Sequence, residues 1–352
     1  MAQAPAQPPI QDSVLFQKFT GLRNTVTAER LEQGELQTAI NVDLDDAGQL
    51  RRRRGYAQVG SGNYHSLFRG DFATFVVRND VLGVLNPDYS HTALQSGVGS
   101  ERLAYVQVAG NVYFSSSLVS GQINESLTVS AWGAVSEAGT WLSPVVNPTS
   151  TLAAVGGRLL GKPPMATALT YYNGRIYMAH GKTVWATDLY LYNYVDKTRT
   201  FLQFESDVTM IGAVTNGIYV GTTADVWFLS GAQLSELKRM PMMNYGALPG
   251  SALPVPAELV NPQVPNRPQP ESKNALLFMS TSGLCVGLDG GMVYNLTQNQ
   301  VLFPDAVSVA AMFRRQDGIN QYVGVADSGG SPSSTARIGD YVDAEIRRFQ
   351  GA

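Results

Sequence analysis

The 352-residue sequence has one cysteine and three histidines. A lone cysteine closes no intrachain disulfide, so the fold has no covalent staple. Cys285 lies in the apolar run Gly283-Leu284-Cys285-Val286-Gly287 and reads as a small buried hydrophobe in a strand, not as a nucleophile. His65, His91 and His180 have no metal-ligand spacing, and there is no cysteine cluster, so neither a metal nor a cofactor is expected. Charged residues make up only 15% of the chain, where about a quarter is usual. Long helices need Glu, Lys and Arg on their surfaces, so few are expected. Such a surface fits either a Gly/Ser/Thr-rich monomer or an exterior covered by other subunits. The net charge of −3 leaves no basic field to attract nucleic acid.

Long apolar runs are also missing, which excludes a membrane-spanning helix. The first residues, Met1 to Pro9, have no basic segment followed by an apolar one, so they do not read as a signal peptide, and folding in a cytoplasm is expected. No G-x-S-x-G elbow and no phosphate-binding G-x-x-x-x-G-K-[ST] loop occurs. Ser136-Glu137-Ala138-Gly139-Thr140-Trp141 is close to a sialidase Asp-box, but it has no aspartate, its spacing is short and it has no second copy. Glycoside hydrolysis needs two acidic groups at a fixed separation. Asp188, Glu205, Asp207 and Asp225 are available, but nothing in the sequence pairs them. Asp43, Asp45, Asp46 and Gly48 resemble part of a calcium loop, yet Arg54 stands where its last carboxylate belongs, so the segment reads as an aspartate-rich turn. No enzymatic activity is expected.

What the sequence does have is turn chemistry between short apolar runs. Six units share a pattern of strand, glycine-containing turn and strand: residues 64–77, 103–114, 168–179, 208–221, 275–287 and 307–324. Their turn glycines stand at 70, 110, 174, 217, 283 and 318, with gaps of 40, 64, 43, 66 and 35. Gaps of 40 and 43 fit the blade length of about 40–45 residues in propeller repeats, and the gap of 35 is slightly short. The two long gaps contain segments that read as insertions, at about 131–165 and 241–273. The second is dense in proline, including Pro254, Pro256, Pro265 and Pro268; since proline cannot serve in a central strand, an excursion from the rim is expected. The expected fold is all-β: a propeller-like ring of about five to six blades with two long loop insertions. A sandwich or two stacked β-domains would also give hairpins of this kind.

Upstream of the repeats, residues 1–15 are expected to form an extended Pro-, Gln- and Ala-rich arm, and residues 16–352 a single propeller domain. Thr27 to Gln33 suits a short helical turn ended by Gly34. Residues 39–45 and 49–56 suit a hairpin that completes the last blade beside residues 301–325, and the alternating tail 335–349 suits a strand at the same place. Arg51, Arg52, Arg53 and Arg54 form the sharpest charge feature. On a strand, Arg51 and Arg53 point one way and Arg52 and Arg54 the other. These arginines suit pairing with Asp43 and Asp45 across the hairpin, contact with a partner subunit's carboxylates, or contact with phosphates. Together with Pro254, Pro256, Pro265 and Pro268 they are the candidate subunit-interface residues.

The segment from Phe16 to Tyr56 contains a phrase of the form G-x-x-N … L … A-x-N-V-D … G-x-L-x-x-R-x-G. It resembles the opening of the tail nozzle (tail tubular, β-propeller) proteins of short-tailed bacteriophages. The resemblance covers about 40 residues, and it implies structural roles for Gly21, Asn24, Asn41, Asp43, Gly48, Arg51, Arg54 and Gly55. It further implies a non-catalytic virion tail protein: a homohexameric ring that retains genomic double-stranded DNA and passes it on ejection. The implied partners are copies of the chain, portal-adaptor proteins and tail-fibre proteins, without membrane insertion, after assembly in the host bacterial cytoplasm. Two other readings remain open. One is a minor tail or fibre-attachment protein outside the tail; the other is a carbohydrate-binding propeller using Tyr171, Tyr172, Trp185, Tyr190 and Tyr192.

Overall fold

A computed structural model describes residues 18–133, 160–260, 273–328 and 343–345, apart from 46, 54, 56, 198, 233, 304 and 317–318. The described chain is β-structure with only single-turn 3-10 helices between strands. Five antiparallel four-stranded sheets follow one another along the sequence, and a three-stranded sheet completes the series. This succession is the blade order of a propeller.

The first blade pairs Tyr64–Arg69, Thr74–Arg78, Val81–Leu85 and His91–Gln95 in sequence order. The second runs from Ala104–Val108 to Val129–Ala131. The third holds Ala168–Tyr172, Arg175–His180, Thr183–Ala186 and Phe201–Gln203. The fourth runs from Val208–Val214 to Lys238–Met243. The fifth comprises Leu253–Pro256, Asn274–Ser280, Gly283–Leu288 and Met292–Asn295. In the sixth, Ser308–Gln316 pairs with Ile319–Asp327, and Asp343–Glu345 adds the outer strand, where the alternating tail suits one.

Each blade is an up-and-down meander because short apolar runs are joined by tight turns. The Asn173-Gly174 turn shows the local cause: both residues have positive φ, 43° and 76°, as the favoured two-residue hairpin turn requires. Tyr172 then stands opposite Arg175.

Side chains alternate between the two faces of each sheet, and both faces of the inner blades are apolar. One apolar cluster fills each seam between consecutive blades. Phe75, Val77 and Leu82 meet Val112, Phe114 and Ile123 between the first and second. Tyr113 and Trp132 meet Ile176 and Met178 between the second and third. Tyr177 and Val184 meet Ile218 and Leu229 between the third and fourth. Tyr219 and Phe228 meet Leu276 and Phe278 between the fourth and fifth. Leu277 and Val286 meet Val309 and Tyr322 between the fifth and sixth. Burying each such side chain stabilises the fold by roughly 1.5–3 kcal/mol. Among the described residues no comparable cluster joins the sixth blade to the first.

The first strands of successive blades lie next to one another, from Ala104–Val108 through Ala168–Tyr172 and Val208–Val214 to Leu253–Pro256 and Ser308–Gln316. They are therefore the inner strands. Arg102, just ahead of the second blade's inner strand, lies against Gly250 ahead of the fifth blade's inner strand. It also senses Tyr322 of the sixth blade. The sheets thus curl round until the second faces the fifth and sixth.

Two sequence expectations need correction. The stretch 241–273 is not one excursion. Residues up to Met243 belong to the outer strand of the fourth blade, and Leu253–Pro256 is the first strand of the fifth. Proline is tolerated there because both are edge strands, where a missing N–H breaks no ladder bond. The fifth repeat, 275–287, is consequently the second and third strands of its blade, whereas the other repeats are first and second strands. This shift accounts for the long gap before Gly283 and the short one after it. The hairpin of residues 39–59 does not join the sixth blade's ladder: Val42–Leu44 pairs with Leu50–Arg52 as a separate two-stranded sheet. The short helical turn is present as a 3-10 turn at Ala28–Arg30, and Gly34 follows it at φ 95°. Residues 1–17, 134–159 and 261–272, with most of the first expected insertion and part of the second, lie outside the described residues.

Candidate functional site

The phrase-bearing segment forms a clasp on the connection between the fifth and sixth blades and on the sixth blade. Asn24 makes a reciprocal pair with Leu302: its Nδ2 donates to the Leu302 carbonyl at 3.0 Å, and the Leu302 N–H donates to its Oδ1 at 2.7 Å. Thr25 Oγ1 donates to the Asn299 carbonyl at 2.8 Å. Arg23 holds Glu35 at 3.1 Å, and Gly21–Leu22 runs parallel to Glu35–Leu36. Further on, Asp43 is held from two sides. Arg53 Nε donates to its Oδ1 and Arg314 Nη2 to its Oδ2, each at 3.3 Å. Arg314, in the inner strand of the sixth blade, also donates to Gln321, which is buried.

The hairpin turn is built by Asp45. Its Oδ1 accepts the Gln49 N–H at 2.8 Å, and its Oδ2 meets Arg51 Nη2 at 3.0 Å. Asp45 is used in a turn, and among the described residues no group of three His, Cys, Asp or Glu can hold a metal ion. Arg51 and Arg53 therefore lie on one face, paired to carboxylates of their own hairpin. Arg52 is exposed on the other, and Arg54 lies outside the described residues. Sequence reading assigns structural roles to Arg51 and Arg54; the partly buried position against Asp43 belongs to Arg53.

Pro254 and Pro256 are exposed on an edge strand, alternating with buried Val255 and Ala257. Pro265 and Pro268 lie outside the described residues. The clasp and the proline edge are both built on the fifth and sixth blades, whose seam holds a mostly apolar cavity of about 90 Å³ lined by Leu248, Met279, Phe303 and Val309, with Asp305 beside them.

The remaining candidates have structural surroundings. Cys285 is buried, and desolvation pushes its thiol up to about 12 despite a hydrogen bond with Ser280. His65 Nδ1 is 2.8 Å from Ser66 Oγ, and burial lowers its pKa. His180 Nδ1 lies 2.8 Å from the Met165 carbonyl. Asp188 meets Arg175 at 3.6 Å, and Asp225 accepts the Thr222 hydroxyl at 2.6 Å. Of the aromatics, Tyr172 is buried with its hydroxyl donating to the Gly231 carbonyl, and Trp185 tilts against Phe201. Tyr192 meets both Tyr113 and Tyr171 edge-on. Tyr171 and Tyr190 are exposed. Packing thus accounts for three of the five.

Sequence reasoning misses Arg314, Gln321 and Arg102. Arg314 pairs with Asp43 across 271 residues, and no local pattern marks it.

No family model matches the chain, and no curated protein matches it. Among solved structures, it is similar to BBS1N in complex with ARL6DN, with 12% identity and a TM-score of 0.46 over 82% of this chain and 84% of that one. It is similar to the Neurospora crassa Pan2 WD40 domain, with 11% identity and a TM-score of 0.41 over 74% and 71%. It is similar also to the N-terminal domain of Nup159, with 7% identity and a TM-score of 0.40 over 75% and 73%.

Proposed function

We propose that the chain is a non-catalytic structural subunit of a bacteriophage tail nozzle, assembling as a homohexameric ring that retains and passes genomic DNA. The observation that supports this reading best is the clasp. The residues of the nozzle-like phrase, Asn24 and Asp43 above all, tie the N-terminal segment to the connection between the fifth and sixth blades and to the sixth blade itself, instead of presenting chemistry to solvent. The burial of Cys285 and the separate engagement of Asp188 and Asp225 support a role without catalysis. The net charge of −3 suits a wall along which DNA slides, since it neutralises few phosphates. In this reading Arg52 faces neighbouring copies or the portal-adaptor and tail-fibre proteins, whereas Pro254 and Pro256, exposed on an inner strand, do not serve as such a contact.

The test is imaging of the purified protein alone and with virions. A six-fold ring seated at the distal tail is the expected result. Density outside the tail tube would favour the fibre-attachment reading, and absence from virions would overturn both.

A further inference from the structure

The seam between the fifth and sixth blades is not packed solid. It holds the cavity of about 90 Å³, with Met279 of the fifth blade on one side and Val309, Gly324 and Ala326 of the sixth on the other. Small residues leave this space, since Gly324 and Ala326 lie where larger side chains would fill it. Phe303, from the connection between the two blades, closes a third side. That connection is fixed from outside. Leu302, next to Phe303, is held at both its N–H and its carbonyl by Asn24. The cavity is therefore preformed, as small-molecule sites usually are.

The polar groups around the cavity are already engaged, with one exception. Ser280 Oγ donates to the Gly283 carbonyl at 2.8 Å. The Met279 carbonyl accepts the Leu248 N–H at 2.8 Å, and the Val309 N–H donates to the Pro249 carbonyl at 2.9 Å. The exception is Asp305, an exposed residue of the cavity lining. Among the described residues its carboxylate has no ion pair and no hydrogen bond.

An apolar space with a free carboxylate at its rim suits a guest that is apolar at one end and cationic at the other. Size narrows the class. Benzene occupies a void of about 150 Å³, so an aromatic guest is too large. At about 30 Å³ per water, the cavity equals about three waters, which is room for a short aliphatic chain. Waters there would find few free polar partners, so methylenes displace them favourably.

We propose that this seam is a binding pocket for a short alkylammonium group, whose aliphatic chain enters the cavity and whose nitrogen meets Asp305. The group can belong to a free aliphatic amine or to a lysine side chain, which share this chemistry. The pocket does not depend on the nozzle reading, because all its walls belong to one chain.

The test is a titration of the full-length protein, methyl-labelled at methionine, at constant ionic strength. The probes are n-butylammonium chloride, n-butanol and Nα-acetyl-lysine N-methylamide. The readouts are the Met279 methyl resonance and the affinity its movement yields. Saturable movement by n-butylammonium is expected, with n-butanol roughly threefold weaker, because a solvent-exposed ion pair contributes little. Asp305→Asn should erase that preference and leave n-butanol binding unchanged. Ala326→Leu, which fills the space, should weaken both by about tenfold or more. Whichever of the two amines binds more tightly identifies the source. An unmoved Met279 resonance in the wild-type protein, or equal affinity for n-butylammonium and n-butanol, would overturn the proposal. The wild-type titrations decide the matter even if a variant does not fold.

Discussion

At Asp43 a single carboxylate joins the N-terminal hairpin to a blade 271 residues away. Its partners Arg53 and Arg314 are both mostly shielded, with side-chain exposures of 9% and 25%. Removing the charge leaves two guanidiniums facing a neutral group in a partly dehydrated site. Asp43→Asn should therefore lower stability by about 2 kcal/mol in urea unfolding. It should also raise hydrogen exchange in residues 308–327 more than in the fourth blade. Uniform acceleration across all blades would mean that the clasp does not hold the sixth blade in particular. Arg51→Ala should be nearly silent by comparison, because Arg51 is 62% exposed and such pairs contribute little.

The strands were legible where their signals are local. Five of the six repeats read from the sequence are the first two strands of a blade, because alternation and turn residues depend only on neighbours. The proline-rich Leu253–Pro256 escaped, because proline argues against a strand and an edge position is invisible until the sheet is assembled. Its alternation offers a direct check. Val255 is 5% exposed and belongs to the cluster between the fifth and sixth blades, whereas Pro254 is exposed. Val255→Asp should cost about 3 kcal/mol or more by placing a charge in that seam. Pro254→Asp should change stability by no more than about 1 kcal/mol. Equal effects in chemical denaturation would contradict the register that sets Val255 opposite Ala275.

Over the whole molecule, the seams bury acidic hydroxyls and a thiol in neutral form. Desolvation pushes Cys285, Tyr113 and Tyr177 up to about 12, and Tyr219 and Tyr322 higher. In the unfolded chain these groups titrate near about 8.5 for cysteine and about 10 for tyrosine. Between those values and the folded ones, the unfolded state releases protons that the folded state keeps. Stability is thus intact below about pH 8.5 and falls as pH rises toward 12. Thermal melts from pH 7 to 11 should show a flat region and then a steepening loss, with Cys285 alkylated only on unfolding. A melting temperature unchanged up to pH 11 would contradict the burial of these tyrosines.

By itself, the sequence determined the β class, the hairpins, the buried state of Cys285 and the placing of Arg51 and Arg53 on one hairpin face. Each follows from spacing within about a dozen residues, where the chain's own geometry decides who meets whom. Only the tertiary structure decided which hairpins begin a blade, that each seam from the first blade to the sixth is filled by residues of two blades, and that Arg314 closes on Asp43. It alone brought Arg102 to Gly250 across the ring. The reason is physical: such contacts are set by how sheets curl and stack, and residues brought together over more than a hundred positions leave no periodic trace in the chain between them.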